Sequence, residues 1–187
     1  MAREPENTRE DFATTALPLM DQLYTAAFYL TRDRADADDL LQETYLRAYR
    51  FWRQFTPGTN CKAWMLTIMH NLFRNRYRER QRAQRVIEFD ETLFDPDPAD
   101  EWVTAEATPE ERVLANVLDG EVEAALAGLP AEFLEAVLLV DLQELTYEEA
   151  AEVVGCPVGT IRSRLSRGRR LLQKRLYAYA KERGLLR

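Results

Sequence analysis

Apolar residues recur every three or four positions over most of the chain, which predicts helices. The first helix is predicted around residues 17–30. A second is predicted to begin at an N-cap, Asp36, and to end near Trp52. Its apolar face is predicted to contain the following side chains: Leu41, Tyr45, Ala48, Tyr49 and Trp52.

A run of turn-forming residues, QFTPGTN at 54–60, interrupts the helical pattern. A third helix is predicted from about Lys62 to the low eighties, with Trp64, Ile68 and Leu72 on its inner face. Residues 86–107 contain two Asp-Pro pairs and no sustained period. We therefore predict a flexible acidic linker there.

Helical spacing resumes at residue 108, where TPEE combines a capping box with proline at the first helical position. That helix is predicted to end near Gly128, and Pro130 opens the next one. Its predicted inner positions are Phe133, Leu134, Val137 and Leu138.

A second capping box, TYEE at 146–149, opens a short helix to Val154. The turn Gly155-Cys156-Pro157 follows, and the final helix is predicted from about Val158 toward Lys181. The chain is therefore predicted to be all-α, with two small helical domains joined by the acidic linker. The predicted boundaries are 1–85, 86–107 and 108–187.

Composition excludes several classes of protein. The 187 residues carry one histidine and two cysteines far apart, Cys61 and Cys156, so neither a disulfide framework nor a metal site is indicated and no cofactor is expected. No apolar run approaches the roughly 20 residues of a membrane helix, and the polar N-terminus lacks the apolar core of a secretion signal. We expect a soluble, cytoplasmic protein with no membrane insertion.

The net charge of −7 argues mildly against nucleic-acid binding, but the charge is unevenly distributed. Residues 71–85 contain six arginines and one acid, whereas residues 86–123 contain thirteen acids and one base. Residues 124–155 have seven acids and no base, and residues 156–187 have ten bases and one acid. Two basic helices are thus separated by acidic segments.

Residues 146–170 fit a helix-turn-helix, because a short capped helix and a glycine turn precede a basic helix. Helical spacing places Ile161, Leu165, Gly168 and Leu172 on the inner face. The opposite face carries Arg162, Ser163, Ser166, Arg167 and Arg170, which are suited to guanine edges and phosphates in the major groove. The alternative is a basic amphipathic helix that is solvated or docks on an acidic partner.

The other basic helix predicts a surface for single-stranded nucleic acid. Arg74, Arg78 and Arg82 form a stripe at i, i+4 and i+8 with Asn71 just before it, and Phe73 and Tyr77 are interleaved. Arginines that bind phosphates beside aromatics that stack on unpaired bases are typical of such surfaces. Alternatively, the aromatic residues belong to the core and the arginines only solubilise the helix.

The second helix has a polar face opposite its apolar one. This face is either merely solvated or a docking site for another protein. Its members are Asp38, Asp39, Gln42, Glu43, Arg47 and Arg50.

Two segments resemble a known family. DADDLLQETYLRAYRFWRQF, FTPGTN and CKAWMLTIMHNLFRNRYRER resemble region 2 of the extracytoplasmic-function (ECF) sigma factors of bacterial RNA polymerase. LPAEFLEAVLLVDLQELTYEEAAEVVGCPVGTIRSRLSRGRRLL resembles their region 4. The stretch PGTN-x-KAW is similar to the branch of redox-responsive stress sigma factors that zinc-binding anti-sigma proteins control.

The resemblance implies a role for each surface. Docking on the clamp helices of core RNA polymerase is implied for Asp39, Gln42, Glu43, Arg47 and Arg50. Binding of the opened promoter minus-10 element is implied for Phe55, Thr59, Asn60, Asn71, Arg74 and Arg78. Reading of the minus-35 element is implied for Thr160, Arg162, Ser163, Ser166, Arg167 and Arg170. Region 4 is also implied to contact the polymerase flap, and an anti-sigma factor is implied as a further partner.

Two other functions fit parts of the sequence. A conventional helix-turn-helix regulator explains residues 146–170 but leaves the arginine–aromatic surface without a role. An enzyme acting on nucleic acid requires a metal or nucleophile cluster, and the acids of residues 86–111 have no histidine or cysteine to match them. Cys61 suggests a thiol sensor, although a lone half-buried cysteine is more often inert.

Overall fold

The computed structural model describes residues 9–87 and 120–184. The predicted linker at 86–107 and the capping box at residue 108 lie almost wholly outside these ranges, so the predicted domain boundaries stay a prediction. Every element in the described ranges is helical, which confirms the predicted all-α class. None of these helices is long and apolar enough to span a membrane.

The described helices fall into two compact units. One unit contains α1–α4 and α7 from Glu148 onward, and the other contains α5, α6 and α8. The helices are α1 (Arg9–Ala16), α2 (Met20–Thr31), α3 (Arg34–Arg50), α4 (Cys61–Ile87), α5 (Gly120–Ala127), α6 (Ala131–Val137), α7 (Tyr147–Val154) and α8 (Val158–Glu182). A π-helical turn, Leu138–Leu142, extends α6.

Helices α2, α3 and α4 pack against one another to form the core of the first unit. Helix α2 ends at Arg32, which adopts the left-handed conformation and donates its N–H to Phe28 O. The next residue, Asp33, caps α3 by accepting the N–H of Asp36 at 2.8 Å. The predicted cap at Asp36 is therefore wrong by one helical turn, because Asp36 is the residue that donates to the cap.

The buried face of α3 also differs from the predicted one. It consists largely of small side chains, which let α2 and α4 approach closely: Ala37, Leu40, Thr44 and Ala48. Of the predicted face, Tyr45 is only half-buried and Tyr49 is exposed. The helical period was correct, but the aromatic residues mark the flank of the helix rather than its core face.

Helix α1 covers that aromatic flank and was not predicted, since its sequence REDFATTA is mostly polar. Its one buried aromatic residue, Phe12, makes edge-on ring contacts with Tyr45, Tyr49 and Trp52. The Tyr45 hydroxyl donates to Ala16 O at 2.8 Å. A single aromatic anchor thus fixes a short helix against α3.

Helix α8 is the centre of the second unit, where it packs on α5 and α6. The predicted division of its faces is confirmed, since Ile161, Leu165 and Gly168 are buried. On α6, Leu134 and Val137 are buried as predicted. Arg164 forms an ion pair with Glu132 at 3.1 Å, which ties the two helices at the edge of this core.

A glycine turn precedes α8, as the sequence predicts. Gly155 has φ of +73°, a conformation that a side chain disfavours. Its N–H and that of Cys156 both donate to Ala151 O, which ends α7. The chain then enters α8 through Pro157, so the order of short helix, turn and basic helix is confirmed.

Candidate nucleic-acid interface

The outer face of α8 is a row of arginines and hydroxyls. The following predicted side chains are all exposed: Arg162, Ser163, Ser166, Arg167 and Arg170. Thr160 is half-buried, and its carbonyl accepts the Ser163 hydroxyl at 2.9 Å. Because the hydroxyl of Ser163 already bonds to its own helix, the arginines are the groups best placed to reach a ligand.

Two residues outside α8 hold arginines of this face. The Arg162 guanidinium carbon lies 5.6 Å from the centre of the Tyr147 ring, within the range of a cation–π contact. Arg169 forms a fork with Asp141, Nε to Oδ2 at 3.1 Å and Nη2 to Oδ1 at 2.5 Å. The hydrogen bond to Asp141 is the main cause of the raised pKa of Arg169.

Tyr147, Arg162 and Arg169 line one groove of about 440 Å³ together with Leu165, Ser166, Arg170 and Gln173. Sequence reasoning missed Tyr147, Asp141, Arg169 and Gln173. Arg169 lies seven residues after Arg162 and so shares its side of the helix, a spacing that the sequence does show. Tyr147 reaches Arg162, and Asp141 reaches Arg169, only through tertiary packing, so neither contact leaves a comparable signal in the sequence.

Helix α4 presents the second basic surface. Asn71, Arg74 and Arg78 are exposed along one side, as their spacing predicts, and Phe73 and Tyr77 are half-buried. The half-buried rings match neither predicted alternative completely, since each belongs partly to the core and partly to the surface.

Arg76 lies between the exposed Arg74 and Arg78 in the sequence, but its side chain contacts α3. Its Nη2 donates to Glu43 Oε2 at 2.7 Å and to Asp39 O at 3.3 Å. Glu43 is therefore engaged within the unit, whereas Asp39, Gln42, Arg47 and Arg50 are exposed. In the predicted docking set on α3, Arg76 thus contacts Glu43 through its side chain and Asp39 through its backbone carbonyl.

The loop before α4 is held by its own side chains. Phe55 is buried and stacks on Trp52, with ring centres 4.8 Å apart. Thr59 donates to Thr56 O at 2.7 Å, and Asn60 Oδ1 accepts the N–H of Ala63 at 3.2 Å, which caps α4. Thr59 and Asn60 are exposed, and the Asn60 side-chain amide also donates to Glu149 Oε1 of α7 at 2.8 Å. Phe55 is buried and supports the loop from its inner side.

Exposed apolar side chains lie beside the polar face of α3, and two of them, Leu46 and Tyr49, were not predicted as part of any surface. Leu46 is 63% exposed, and Tyr49 and Phe51 are also exposed. Their signal in the sequence was ambiguous, because helical spacing alone assigned Tyr49 to the core face. They widen the candidate protein-docking surface of α3.

Cys61, the first residue of α4, is buried. Burial raises the pKa of its thiol to about 11, so the thiol is protonated near neutral pH. Within residues 9–87 and 120–184, no three histidine, cysteine or acidic side chains come together as a metal site.

Comparison with known proteins finds a family match in each half of the chain. Residues 18–83 match the family model for sigma-70 region 2, and residues 119–172 match that for sigma-70 region 4. The ECF sigma factor EcfG of Rhodopseudomonas palustris is 37% identical over 161 residues, which cover 86% of this chain and 82% of that protein. The ECF sigma factor SigE of Mycolicibacterium smegmatis is 36% identical over 87% of this chain, and the match spans 60% of that protein's length.

A solved relative has the same fold. The sigma factor RpoE of Bartonella quintana, solved in complex with the anti-sigma factor NepR, superposes with a TM-score of 0.69. It is 32% identical, and the match covers 90% of this chain and 98% of that one. The chain therefore belongs to the ECF family of RNA polymerase sigma factors.

Proposed function

We propose that the chain is a transcription initiation factor that binds core RNA polymerase, recognises the minus-35 and minus-10 promoter elements and promotes promoter melting. The observation that carries the proposal is the presence of both sigma regions in one chain, each with an exposed basic helix. A conventional regulator needs only the second of these helices. Binding alone performs this function, and the chain has no catalytic step of its own.

Helix α8 is proposed to read the minus-35 element. Exposed arginine forks on a helix match the paired acceptors of guanine in the major groove, and the hydroxyls and remaining arginines suit phosphates. The exposed face of α8 supports this role, since its guanidinium and hydroxyl groups all lie on the side away from the buried Ile161 and Leu165.

Helix α4 and the loop before it are proposed to hold the opened minus-10 strand. Arg74 and Arg78 supply phosphate contacts. The exposed Thr59 and Asn60 exchange their hydrogen bonds within the protein for contacts with a flipped base. Binding only the unpaired state shifts the duplex toward opening by the difference in affinity between the two states. In this proposal Phe55 acts by supporting the loop.

Helix α3 is proposed to dock on the clamp helices of polymerase, and the second unit on the flap. The exposed charges of α3 and the exposed Leu46 give this surface the mixed character of protein interfaces. Two weak attachments joined in one chain reinforce each other, because the first raises the effective concentration of the second.

An anti-sigma factor is proposed to control the chain. The support is the relative RpoE of Bartonella quintana, whose structure contains the anti-sigma factor NepR. Control of this kind suits a stress regulon, and a cytoplasmic location follows from the proposed role. Membership of the redox-responsive branch stays a prediction.

The test adds the purified chain to sigma-free bacterial core polymerase and measures run-off transcription from a promoter library. We expect transcripts from promoters that share a minus-35 and a minus-10 motif, and none with core polymerase alone. Tight duplex binding by the chain without any promoter-specific transcript would contradict the proposal and favour the regulator.

A further inference from the structure

Resting on the proposed minus-35 function, we propose that Tyr147 is a positioning residue that holds Arg162 in the orientation needed to read a base. Tyr147 is the first residue of α7, and Arg162 lies in the second turn of α8. The arginine lies over the tyrosine ring at 5.6 Å from the ring centre. Neither the sequence pattern nor the family resemblance assigned Tyr147 a role.

The chemistry of the contact suits a base-reading arginine. Stacking uses the flat face of the guanidinium group, whereas hydrogen bonds to a guanine use its N–H edge. One side chain can therefore stack on tyrosine and bind a base at the same time. An arginine whose orientation is already restricted also loses less rotamer entropy when it binds.

Arg169 supplies the contrast within the same groove. Its Nε and Nη2 both donate to the carboxylate of Asp141, so this contact uses the edge of its guanidinium group. An edge engaged in this way is not presented to a base. The Nε and Nη2 edge of Arg169 is thus engaged with Asp141. We assign the base-reading role to Arg162 because of its position in α8.

The position of Arg162 supports the assignment. In helix-turn-helix proteins the N-terminal part of the second helix contacts base edges. Arg162 is the fifth residue of α8 and is exposed, and Ser166, one turn later, lines the same groove. Tyr147 stands beside this part of the helix and fills the side of the groove next to Arg162.

The test measures base preference by the reconstituted holoenzyme. Run-off transcription is compared across promoters that carry each single-base replacement in the minus-35 element. Arg162→Ala is expected to reduce discrimination at one base pair by about ten-fold, because it removes a bidentate contact with a base. Tyr147→Leu is expected to reduce it at the same base pair by about two- to five-fold, the range of an exposed cation–π contact.

Two variants separate positioning from a structural effect. Tyr147→Phe keeps the ring and is expected to retain the discrimination of the parent chain. Tyr147→Leu in the Arg162→Ala background is expected to cause no further loss at that base pair. The melting temperature of each variant is measured alongside, and equal melting temperatures for the Leu and Phe variants exclude unfolding as the cause.

The outcomes distinguish the two proposals. If Arg162→Ala leaves discrimination unchanged at every position, the proposed minus-35 role of this face is wrong. If Arg162→Ala removes base discrimination at one minus-35 base pair but Tyr147→Leu leaves it unchanged, Tyr147 is not the positioning residue of Arg162. A loss with Tyr147→Phe equal to that with Tyr147→Leu would assign the effect to the hydroxyl and overturn the stacking proposal.

Discussion

Gly168 is buried in the contact between α8 and α6. A Cβ at this position would lie 2.9 Å from Val137 Cγ2 and 3.2 Å from Phe133 O, and the latter is a backbone atom that cannot turn away. We expect Gly168→Ala to lower the free energy of unfolding by about 1–3 kcal/mol, because overpacking forces the helices apart. Urea denaturation followed by circular dichroism measures the change.

Gly159 provides the matched control in the same helix. Nothing lies within 4 Å of a Cβ built on it, and its backbone is helical. Gly159→Ala is expected to keep or raise stability by up to about 1 kcal/mol, since alanine is the better helix former. A similar loss for both variants would show that close packing does not explain Gly168.

Cys61 should be a slow nucleophile. Burial raises the pKa of its thiol from 9.0 to about 11, and the thiolate is the reactive form. In the Cys156→Ser variant, we expect iodoacetamide at pH 8 to label Cys61 much more slowly in the native protein than in guanidinium. Mass spectrometry follows the labelling, and equal rates in the two conditions would contradict the assigned burial.

The same pKa shift predicts a pH dependence of stability. Because the unfolded thiol ionises near pH 9 and the folded one near pH 11, the unfolded state binds fewer protons between these values. The Cys61 contribution is complete below pH 9 and is lost as the pH rises to 11. Cys61→Ala should therefore reduce the fall in stability across this window.

Among the helices, α3 and α4 are joined by Arg76, which lies near exposed arginines on α4. Arg76 bonds to Glu43 and to Asp39 O, while Arg74 is exposed. We expect a double-mutant cycle of Arg76→Ala and Glu43→Ala to give a coupling of about 0.2–1 kcal/mol, the range of partly exposed ion pairs. Chemical denaturation of the four proteins measures it.

Arg74→Ala is the control on the same helix. It should leave stability nearly unchanged and weaken binding of the opened minus-10 strand, which fluorescence anisotropy with a labelled single strand and holoenzyme detects. If Arg74→Ala destabilises the fold as much as Arg76→Ala does, the two arginines do not have the separate roles that their directions indicate.

Elements with a strong period were predictable from the sequence. Helix α8 combines a long amphipathic pattern with one basic side, and both its ends and its faces are as predicted. The core face of helix α3 was not predictable from the sequence. Its small residues, such as Ala37 and Thr44, are less hydrophobic than the aromatic residues on the neighbouring flank, which the hydrophobic pattern therefore assigned to the core. Helix α1 has one buried aromatic residue, Phe12, and gives no periodic signal.

In the candidate site, too, some features followed from the sequence and others did not. Exposure of Arg74, Arg162 and Arg167 followed from helical spacing, because each lies opposite a buried face. The contacts of Arg162 with Tyr147 and of Arg76 with Glu43 join residues 15 and 33 positions apart. Such pairs arise from tertiary packing, so no local pattern could identify them.

For the whole molecule, the distribution of charge along the chain matters more for nucleic-acid binding than the net charge does. Residues 86–107 contain eight acids and no base between the two sigma regions. We expect replacement of these eight by their amides to strengthen binding of the polymerase-free chain to random duplex DNA, because like charge then no longer opposes the phosphates. Anisotropy titrations at several salt concentrations measure the change.

Exchange of each aspartate for glutamate and each glutamate for aspartate in the same segment is the control, since it keeps the charge. This variant should bind random duplex as the parent chain does. Unchanged affinity in the amide variant would contradict an electrostatic role for the segment.

The central claim is that the chain enables core polymerase to open promoters, and permanganate reactivity of thymines in the minus-10 element tests it most directly. We predict reactive thymines only when the chain, core polymerase and a promoter with both elements are present together. The signal should fall when Arg74 and Arg78 are both replaced by alanine. Thymines that stay unreactive, although the chain and core polymerase both occupy the promoter, would contradict the account.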